Sequence, residues 1–245
     1  MTDEFESDPD RYDGPHFARS MKIQAVLFDW RGILVADPPD QWWIGRAFEQ
    51  LGRPPPTPAE LSNLARAISD AGDQPAFAAA LRQIDCSAEL HAETSLRIFD
   101  AAGLDEDLAT ALYELDFRSD CHPYAIDTKE TFQSLVRDEI KIAVVSDIHF
   151  DLRPEFEVHG LIEYVDAFVL SFEHGIQKPD AAIFQLALEA LRVRPTEALM
   201  VGDRASHDGG AVAVGIPTLL LPTLREPSEQ RLELVLRSLT RQRAE

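Results

Sequence analysis

Five residues that could do chemistry lie far apart along this chain: three carboxylates, a hydroxyl and an ammonium. They are Asp29, Ser146, Lys178, Asp203 and Asp208. A carboxylate is a workable nucleophile towards phosphorus, and its second oxygen can bind a hard dication such as Mg²⁺. A hydroxyl and an ammonium can hold the oxygens of a phosphate group. These residue types predict metal-assisted phosphoryl transfer, provided that the fold gathers them.

Five short runs of apolar and β-branched residues are expected to form the strands that gather them. The runs span residues 23–28, 142–145, 167–170, 198–201 and 218–221. They are apolar throughout instead of alternating with polar residues, which is typical of parallel strands covered on both faces. Helical patterns separate the last four runs. The pattern therefore predicts an α/β fold with a doubly wound parallel sheet.

Three of the candidate residues stand where a predicted strand ends. Asp29, Ser146 and Asp203 each close or follow an apolar run. Ligands of an open parallel sheet bind beyond the carboxyl ends of its strands. We therefore expect these side chains to converge at one edge of the sheet, with the amide of Asp147 and the ammonium of Lys178 available to a phosphate.

The chain divides into an α/β core and a helical insertion. Residues 38–121 contain helical patterns, broken by Gly- and Pro-rich segments, and no strand-like run. We expect this region to form an all-helical cap inserted into a core of residues 21–37 and 122–245. Residues 1–20 are acidic and polar, and they predict a disordered tail.

Composition excludes several classes of partner. The 245 residues carry a formal net charge of −20, which argues against nucleic acid or an anionic membrane, because both require a basic surface. The two cysteines are too few for a disulfide framework. The sequence has no stretch apolar enough to cross a bilayer and no leader, so a cytoplasmic location is expected. The sequence leaves the oligomeric state open.

Four short motifs, in order and each in its strand context, resemble those of the haloacid dehalogenase-like (HAD) hydrolase superfamily, and the resemblance covers nearly all of residues 22–222. The motifs are Phe28-Asp29-Trp30-Arg31-Gly32, Val145-Ser146-Asp147, Lys178-Pro179-Asp180, and Gly202-Asp203 with Asp208. Each motif alone is weak, and the four together are specific. The helical insertion is similar to the commonest cap of that superfamily.

The resemblance implies a magnesium site and a covalent mechanism. Asp29 would be the nucleophile and a metal ligand, and Arg31 would offer only its backbone carbonyl to the metal. Asp203 would be the second carboxylate ligand, with Asp208 supporting it.

The resemblance also implies where a small phosphorylated metabolite would bind. Ser146, Asp147 and Lys178 would hold the phosphate, and Trp30, next to the nucleophile, would contact the substrate or pack beneath the cap. The cap would close over the site and select the substrate. Dehalogenase chemistry is less expected, because that branch does not need the Gly-Asp-x4-Asp metal site that this chain keeps.

Arg31 departs from the superfamily pattern at a position that matters for turnover. Phosphatases of the superfamily have an Asp there, which protonates the leaving group and later activates water. Arginine can do neither near neutral pH, because it has no acceptor and its pKa lies above about 12. A positioned acid or base typically contributes about 10²- to 10⁴-fold to the rate.

Three interpretations of Arg31 are open at this point. In the first interpretation, the protein is a working hydrolase whose leaving group is already acidic, or another residue takes over the role of the acid. Alternatively, Arg31 turns inward and the site is a non-catalytic anion-binding or regulatory module. In the third interpretation, Arg31 pairs with a cap carboxylate and the phosphatase activity is weak. The candidates for a borrowed acid are His122, His149, His174 and His207.

Overall fold

The computed structural model describes residues 22–241. Its centre is a five-stranded parallel sheet with the strand order β3-β2-β1-β4-β5. The strands are β1 (Ala25–Phe28), β2 (Lys141–Ser146), β3 (Ala167–Leu170), β4 (Ala198–Gly202) and β5 (Thr218–Leu220). The predicted parallel sheet is therefore confirmed. The predicted disordered tail, residues 1–20, lies outside the described residues.

Within residues 22–241 the chain forms ten α-helices. They are α1 (Asp40–Gln50), α2 (Pro58–Gly72), α3 (Ala78–Leu81), α4 (Ala88–Ala101), α5 (Glu106–Leu115), α6 (Thr128–Arg137), α7 (Arg153–Val158), α8 (Ser171–His174), α9 (Ala181–Leu191) and α10 (Glu233–Arg241). None of these helices is both long and apolar enough to cross a membrane.

The two faces of the sheet bury alternate residues of the central strand. Val26 and Phe28 of β1 belong to the same apolar cluster as Phe132 of α6, and the ring centroids of Phe28 and Phe132 are 5.4 Å apart. Leu27 belongs to the cluster on the opposite face, with Phe184 of α9. Because helices cover both faces, every residue of β1 is buried, which explains why this run is apolar throughout.

The cap is formed by α1 to α5, which follow β1 and precede β2. Its own apolar cluster includes Ile44 of α1 and Leu108 and Leu115 of α5. The predicted helical insertion is confirmed, while its exact limits at residues 38 and 121 stay a prediction. Side chains cap its helices: Thr57 and Glu60 form a reciprocal capping box at the start of α2.

One predicted helix has a different form. The pattern of residues 205–214 predicts an α-helix, but the structure has a 3₁₀ helix over Asp208–Val214. The carboxylate of Asp208 accepts hydrogen bonds from the backbone N–H groups of Asp203 and Arg204, at 3.1 and 2.9 Å. These bonds hold the first residue of the 3₁₀ helix against the preceding loop. Gly209 and Gly210 follow, and glycine is a weak α-helix former.

Candidate active site

The three candidate carboxylates lie together at the carboxyl edge of the sheet. Strands β1 and β4 are neighbours in register, and the N–H of Asp29 donates to the carbonyl of Val201 at 2.9 Å. Asp29, Asp203 and Asp208 each offer a carboxylate oxygen, and these oxygens lie within 4.8 Å of one another. The structure thus brings together residues separated by more than 170 positions, as the strand-end argument predicts.

Lys178 is fully buried and connects two of these carboxylates. Its Nζ lies 2.9 Å from Oδ1 of Asp29 and 2.6 Å from Oδ1 of Asp208. Burial alone would lower the pKa of Lys178, but the charges of Asp29, Asp147 and Asp208 outweigh burial and raise that pKa above its usual value. Lys178 therefore stays an ammonium group.

For Asp29, in contrast to Lys178, burial outweighs the opposite charge nearby. Its side chain is almost completely buried, and burial raises its pKa to about 7. The nearby ammonium of Lys178 lowers the pKa, and the negative charge of Asp208 raises it further. The Asp29 carboxylate is thus under-compensated near neutral pH, which favours the approach of a cation.

Asp203 carries a buried oxygen without a partner. Its Oδ2 accepts a hydrogen bond from the hydroxyl of Thr223 at 2.6 Å. Its Oδ1 is buried and has no hydrogen-bond partner among the described residues. A buried carboxylate oxygen is costly unless it is paired or binds a metal, so this oxygen, on a carboxylate that clusters with Asp29, fits a cation site.

Gly32 makes room for that carboxylate. Its φ is +81°, and a Cβ at this position would lie 2.5 Å from Oδ2 of Asp203. Any other residue would clash with Asp203 and strain the backbone. The glycine of the first motif therefore allows β1 and the loop after β4 to approach closely. Thr223, which donates a hydrogen bond to the same oxygen of Asp203, was missed by sequence reasoning, because no motif contains it.

The expected phosphate-binding residues lie beside the carboxylates. Ser146 ends β2, is 1% exposed, and lines the same cavity as Asp29. The carboxylate of Asp147 accepts a hydrogen bond from the backbone N–H of Lys178 at 2.7 Å, so this side chain positions the Lys178 segment. Arg204 also lines the cavity and was not among the predicted residues, although it directly follows Asp203.

Trp30 packs inside the protein. It is fully buried, its indole N–H donates to the hydroxyl of Tyr124 at 3.2 Å, and its ring meets the edge of His122. Trp30 does not line the cavity that contains Asp29. This geometry favours the packing role over direct contact with a substrate.

Arg31 reaches from the core to the cap. One guanidinium nitrogen lies 2.5 Å from Oδ1 of Asp116, the residue at the end of α5. Burial alone would raise the pKa of Asp116, but the charge of Arg31 outweighs it and lowers that pKa to about 2. The guanidinium also lies 5.5 Å from the ring of Trp30 and 5.6 Å from that of Trp43. Arg31 therefore pairs with a cap carboxylate, as the third interpretation expects.

The four histidines proposed as borrowed acids differ in position. His149 lines the cavity that contains Asp29, whereas His122, His174 and His207 do not. His91 of α4 also lines this cavity and was not predicted. Burial, together with the neighbouring His149, lowers the pKa of His91 to about 4, so its ring is neutral near pH 7.

The cavity lies between core and cap. Its volume is about 300 Å³, and a neighbouring cavity of about 600 Å³ shares several of its lining residues. The shared residues are Arg31, Asp37, His91 and Asp116. The cap residues that line the cavity could not be predicted from the sequence, because a helical pattern does not show which polar residues of the helix will face the core.

Comparison with known proteins identifies the family. Residues 23–215, most of the chain, match the haloacid dehalogenase-like hydrolase family. The chain therefore belongs to this family, as the four motifs predict. The departure of the first motif at Arg31 stays a prediction.

Curated relatives include both phosphatases and dehalogenases. The chain is 38% identical over 106 residues to a ribulose-1,5-bisphosphate 5-phosphatase of Halopiger xanaduensis, a match covering 42% of this chain and 43% of the relative. It is 35% identical over 78 residues to (S)-2-haloacid dehalogenase 1 of a Pseudomonas species, covering 32% and 34%. The aligned region spans less than half of each relative.

A solved structure shares the fold. The 2-haloacid dehalogenase of Pseudomonas syringae pv. Tomato aligns over 89% of this chain and 99% of its own, with a TM-score of 0.58 and 24% sequence identity. At this identity the likeness establishes the fold and does not distinguish dehalogenase from phosphatase chemistry.

The raised pKa of Asp29 predicts how Asp29→Asn changes stability with pH. The folded protein holds a proton up to about pH 7 that unfolded Asp, with a pKa of 3.8, has already lost. Binding of this proton stabilises the folded protein. This contribution to the free energy of unfolding is fully present below about pH 4 and is lost as pH rises through 7. Asp29→Asn has no such loss, so its stability relative to wild type should rise by about 2 kcal/mol from pH 5 to pH 8.

Urea unfolding in the presence of a chelator measures this difference. The contact with Lys178 is already included in this difference, because Lys178 stays charged and only Asp29 changes its protonation between the two pH values. Glu130→Gln, on the exposed side of α6, is the control and should show a small difference that is constant between the two pH values. An Asp29→Asn difference that is equally constant would contradict the raised pKa.

Proposed function

We propose that this protein is a magnesium-dependent phosphatase that acts on a small phosphorylated metabolite through an aspartyl-phosphate at Asp29. The observation that carries the proposal is the cluster of Asp29, Asp203 and Asp208, in which Asp29 and Asp208 contact Lys178 and one buried oxygen of Asp203 has no partner among the described residues. Turnover is expected to be slow or restricted to good leaving groups, because Arg31 stands at the acid/base position.

Asp29 and Asp203 would hold the cation, with the backbone carbonyl of Arg31 as a further ligand and Asp208 as support. This donor set contains only oxygens, which suits Mg²⁺. When bound, Mg²⁺ would supply positive charge that reduces the repulsion between the Asp29 carboxylate and an anionic phosphate.

The first step would transfer the phosphoryl group to the protein. A carboxylate oxygen of Asp29 attacks phosphorus, and the bond between phosphorus and the leaving oxygen breaks. Lys178 orients the carboxylate through its 2.9 Å contact and stabilises negative charge on the transferring group. Ser146 and the N–H of Asp147 would donate to the other phosphate oxygens. Water then attacks the phosphorus of the aspartyl-phosphate and releases inorganic phosphate.

Arg31 leaves the departing oxygen without a proton donor at the usual position. An alkoxide is a poor leaving group without protonation, whereas the anion of an acyl or aryl phosphate leaves readily. The second half of the reaction also lacks its usual base. We therefore expect acyl and aryl phosphates to react faster than alkyl phosphates, and the aspartyl-phosphate to accumulate.

The alternative is a non-catalytic anion-binding or regulatory protein, which needs the Arg31 guanidinium free for a ligand. The 2.5 Å pair with Asp116 speaks against it, because binding an anion there would separate a partly buried ion pair. The cluster of carboxylates beside Lys178 likewise favours an enzyme.

A cytoplasmic location stays a prediction.

The proposed substrate class rests on the relatives and the cavity. One named relative acts on a sugar bisphosphate, ribulose-1,5-bisphosphate. The cavity of about 300 Å³, joined through shared residues to one of about 600 Å³, suits a small metabolite. Nucleic acid is not expected as a substrate, because the net charge is −20.

Turnover and adduct formation together test the function. With Mg²⁺, wild type should hydrolyse an aryl phosphate and acetyl phosphate, and mass spectrometry should find a phosphoryl group on Asp29. Asp29→Asn should lose both the activity and the adduct. Glu130→Gln, an exposed acid of α6, should keep them. Absence of activity with both substrates and of any adduct would contradict the proposal.

Replacing Arg31 tests the missing acid/base. Arg31→Asp alone would place a carboxylate beside Asp116, so the informative variant is Arg31→Asp combined with Asp116→Asn. Its turnover of an alkyl phosphate should exceed that of wild type by about 10²-fold, the lower end of the contribution of a positioned acid or base.

The matched control is Arg31→Asn with Asp116→Asn, which breaks the same ion pair without adding an acid. This control should stay close to the wild-type rate. If both double variants accelerate turnover equally, the effect comes from loosening the cap, and the proposed role of position 31 is wrong.

A further inference from the structure

A second group of metal-binding side chains lies outside the proposed magnesium site. Asp85, in the 3₁₀ turn Ile84–Cys86, and His91 of α4 belong to the cap, whereas His149 follows β2 in the core. Each offers one ligand atom, and these atoms lie within 4.8 Å of one another. This group therefore spans the junction of cap and core.

The distances are too long for hydrogen bonds and close to those between ligands of one ion. Oδ1 of Asp85 lies 3.8 Å from Nδ1 of His149 and 3.9 Å from Nε2 of His91. Hydrogen bonds of this kind have lengths of about 2.7–3.2 Å. A tetrahedral ion with bonds of about 2.1 Å holds its ligand atoms about 3.4 Å apart, so a small movement brings these three atoms to that spacing.

His149 supplies an independent sign that something is to be bound here. Its side chain is 1% exposed, and both of its ring nitrogens are buried without a hydrogen-bond partner among residues 22–241. Buried polar atoms are normally satisfied, so an imidazole with two unsatisfied nitrogens requires an explanation. Nδ1 of this ring lies on the side of Asp85.

We propose that Asp85, His91 and His149 form a binding site for one divalent transition-metal ion of the Zn²⁺ type. Two imidazoles and one carboxylate are the donor set of many zinc sites, whereas Mg²⁺ prefers oxygen ligands. All three residues line the 300 Å³ cavity, so the fourth coordination position can be taken by water or by a ligand in that cavity.

The surroundings of His149 fit this role. Oδ2 of Asp116 lies 3.6 Å from Nε2 of His149, and the other oxygen of Asp116 is held by Arg31 at 2.5 Å. A small approach would let Asp116 accept a hydrogen bond from this nitrogen, and metal-binding histidines usually have such a carboxylate partner on the far nitrogen. Arg31, which is unsuited to acid/base catalysis, thus positions the partner of a metal ligand.

Asp85 is fixed in place by the core. Its carbonyl accepts a hydrogen bond from Oγ of Ser171 at 2.6 Å, and its N–H donates to Oε1 of Gln177 at 3.2 Å. The carboxylate of Asp85 is therefore already presented to His149. This fixed backbone reduces the entropy that ion binding would otherwise cost.

The histidine rings must adjust to share one ion. They are stacked, with centroids 3.4 Å apart and an interplanar angle of 5°. The lone pairs of parallel rings run side by side, so at least one ring has to rotate about its side-chain bonds. His91 is the ring with more freedom, because its side chain is 16% exposed.

The charge of the cavity also favours a second dication. Six carboxylates line it, against two guanidinium groups. The carboxylates are those of Asp29, Asp37, Asp85, Asp116, Asp147 and Asp203, and the guanidinium groups are those of Arg31 and Arg204. Since one Mg²⁺ leaves this wall acidic, a second ion would help an anionic ligand to enter, and it would also hold the cap against the core.

Co²⁺ absorption spectroscopy tests the site. The full-length protein, freed of any histidine tag, is titrated with Co²⁺ in excess Mg²⁺, which occupies oxygen-only sites. Wild type should bind one Co²⁺ with a visible d–d spectrum typical of nitrogen ligation, and Zn²⁺ should displace it. Asp203→Asn should bind it equally well, because Asp203 belongs to the other site. His91→Gln should weaken binding at least about tenfold.

His174→Gln, which changes an exposed histidine at the end of α8, is the matched control and should bind Co²⁺ like wild type. Thermal unfolding without added metal checks that His91→Gln is folded, and Asp85→Asn gives a second variant. If wild type binds no Co²⁺ in excess Mg²⁺, or if His91→Gln and Asp85→Asn bind it as tightly as wild type, the proposal is wrong. The test measures no turnover, so its outcome is independent of the proposed phosphatase activity.

Discussion

The contact of the buried Lys178 ammonium with Asp29 and Asp208 is the interaction on which the site depends. Each of these groups would be very unfavourable alone in the interior, and removing one partner of such a buried pair costs about 3–5 kcal/mol. The contacts of 2.9 and 2.6 Å tie the loops after β1 and β4 to the segment before α9. One ammonium nevertheless does not balance three nearby carboxylates. The remaining negative charge, together with the unpartnered oxygen of Asp203, creates the demand for a cation.

The cap is coupled to this edge of the sheet through a second set of charges. Arg31 follows the nucleophile by two residues and pairs with Asp116, and Asp116 in turn faces His149. A residue that would otherwise act as acid and base is thus used to join core and cap. This pairing is consistent with the slow turnover and with the metal site at the junction that we propose.

The sequence was sufficient for the sheet and for the residues at the strand ends. Apolar runs ending in Asp29, Ser146 and Asp203 carry this information locally, because the carboxyl ends of parallel strands share one edge. Thr223 and His91 could not be found in this way. Their importance arises from packing between distant segments, and neither lies in a recognisable motif. The 3₁₀ form of Asp208–Val214 was missed for a similar reason: it depends on hydrogen bonds between Asp208 and the preceding loop.

Calorimetric titration of Mg²⁺ tests most directly whether the gathered carboxylates form a cation site. Wild type and Asp203→Asn are compared at a pH above 7, where Asp29 is ionised. The wild-type protein should bind one Mg²⁺, and Asp203→Asn should bind it at least about tenfold more weakly, because one of its two carboxylate ligands is gone. Equal affinity in the two proteins, or no Mg²⁺ binding in either, would contradict the account.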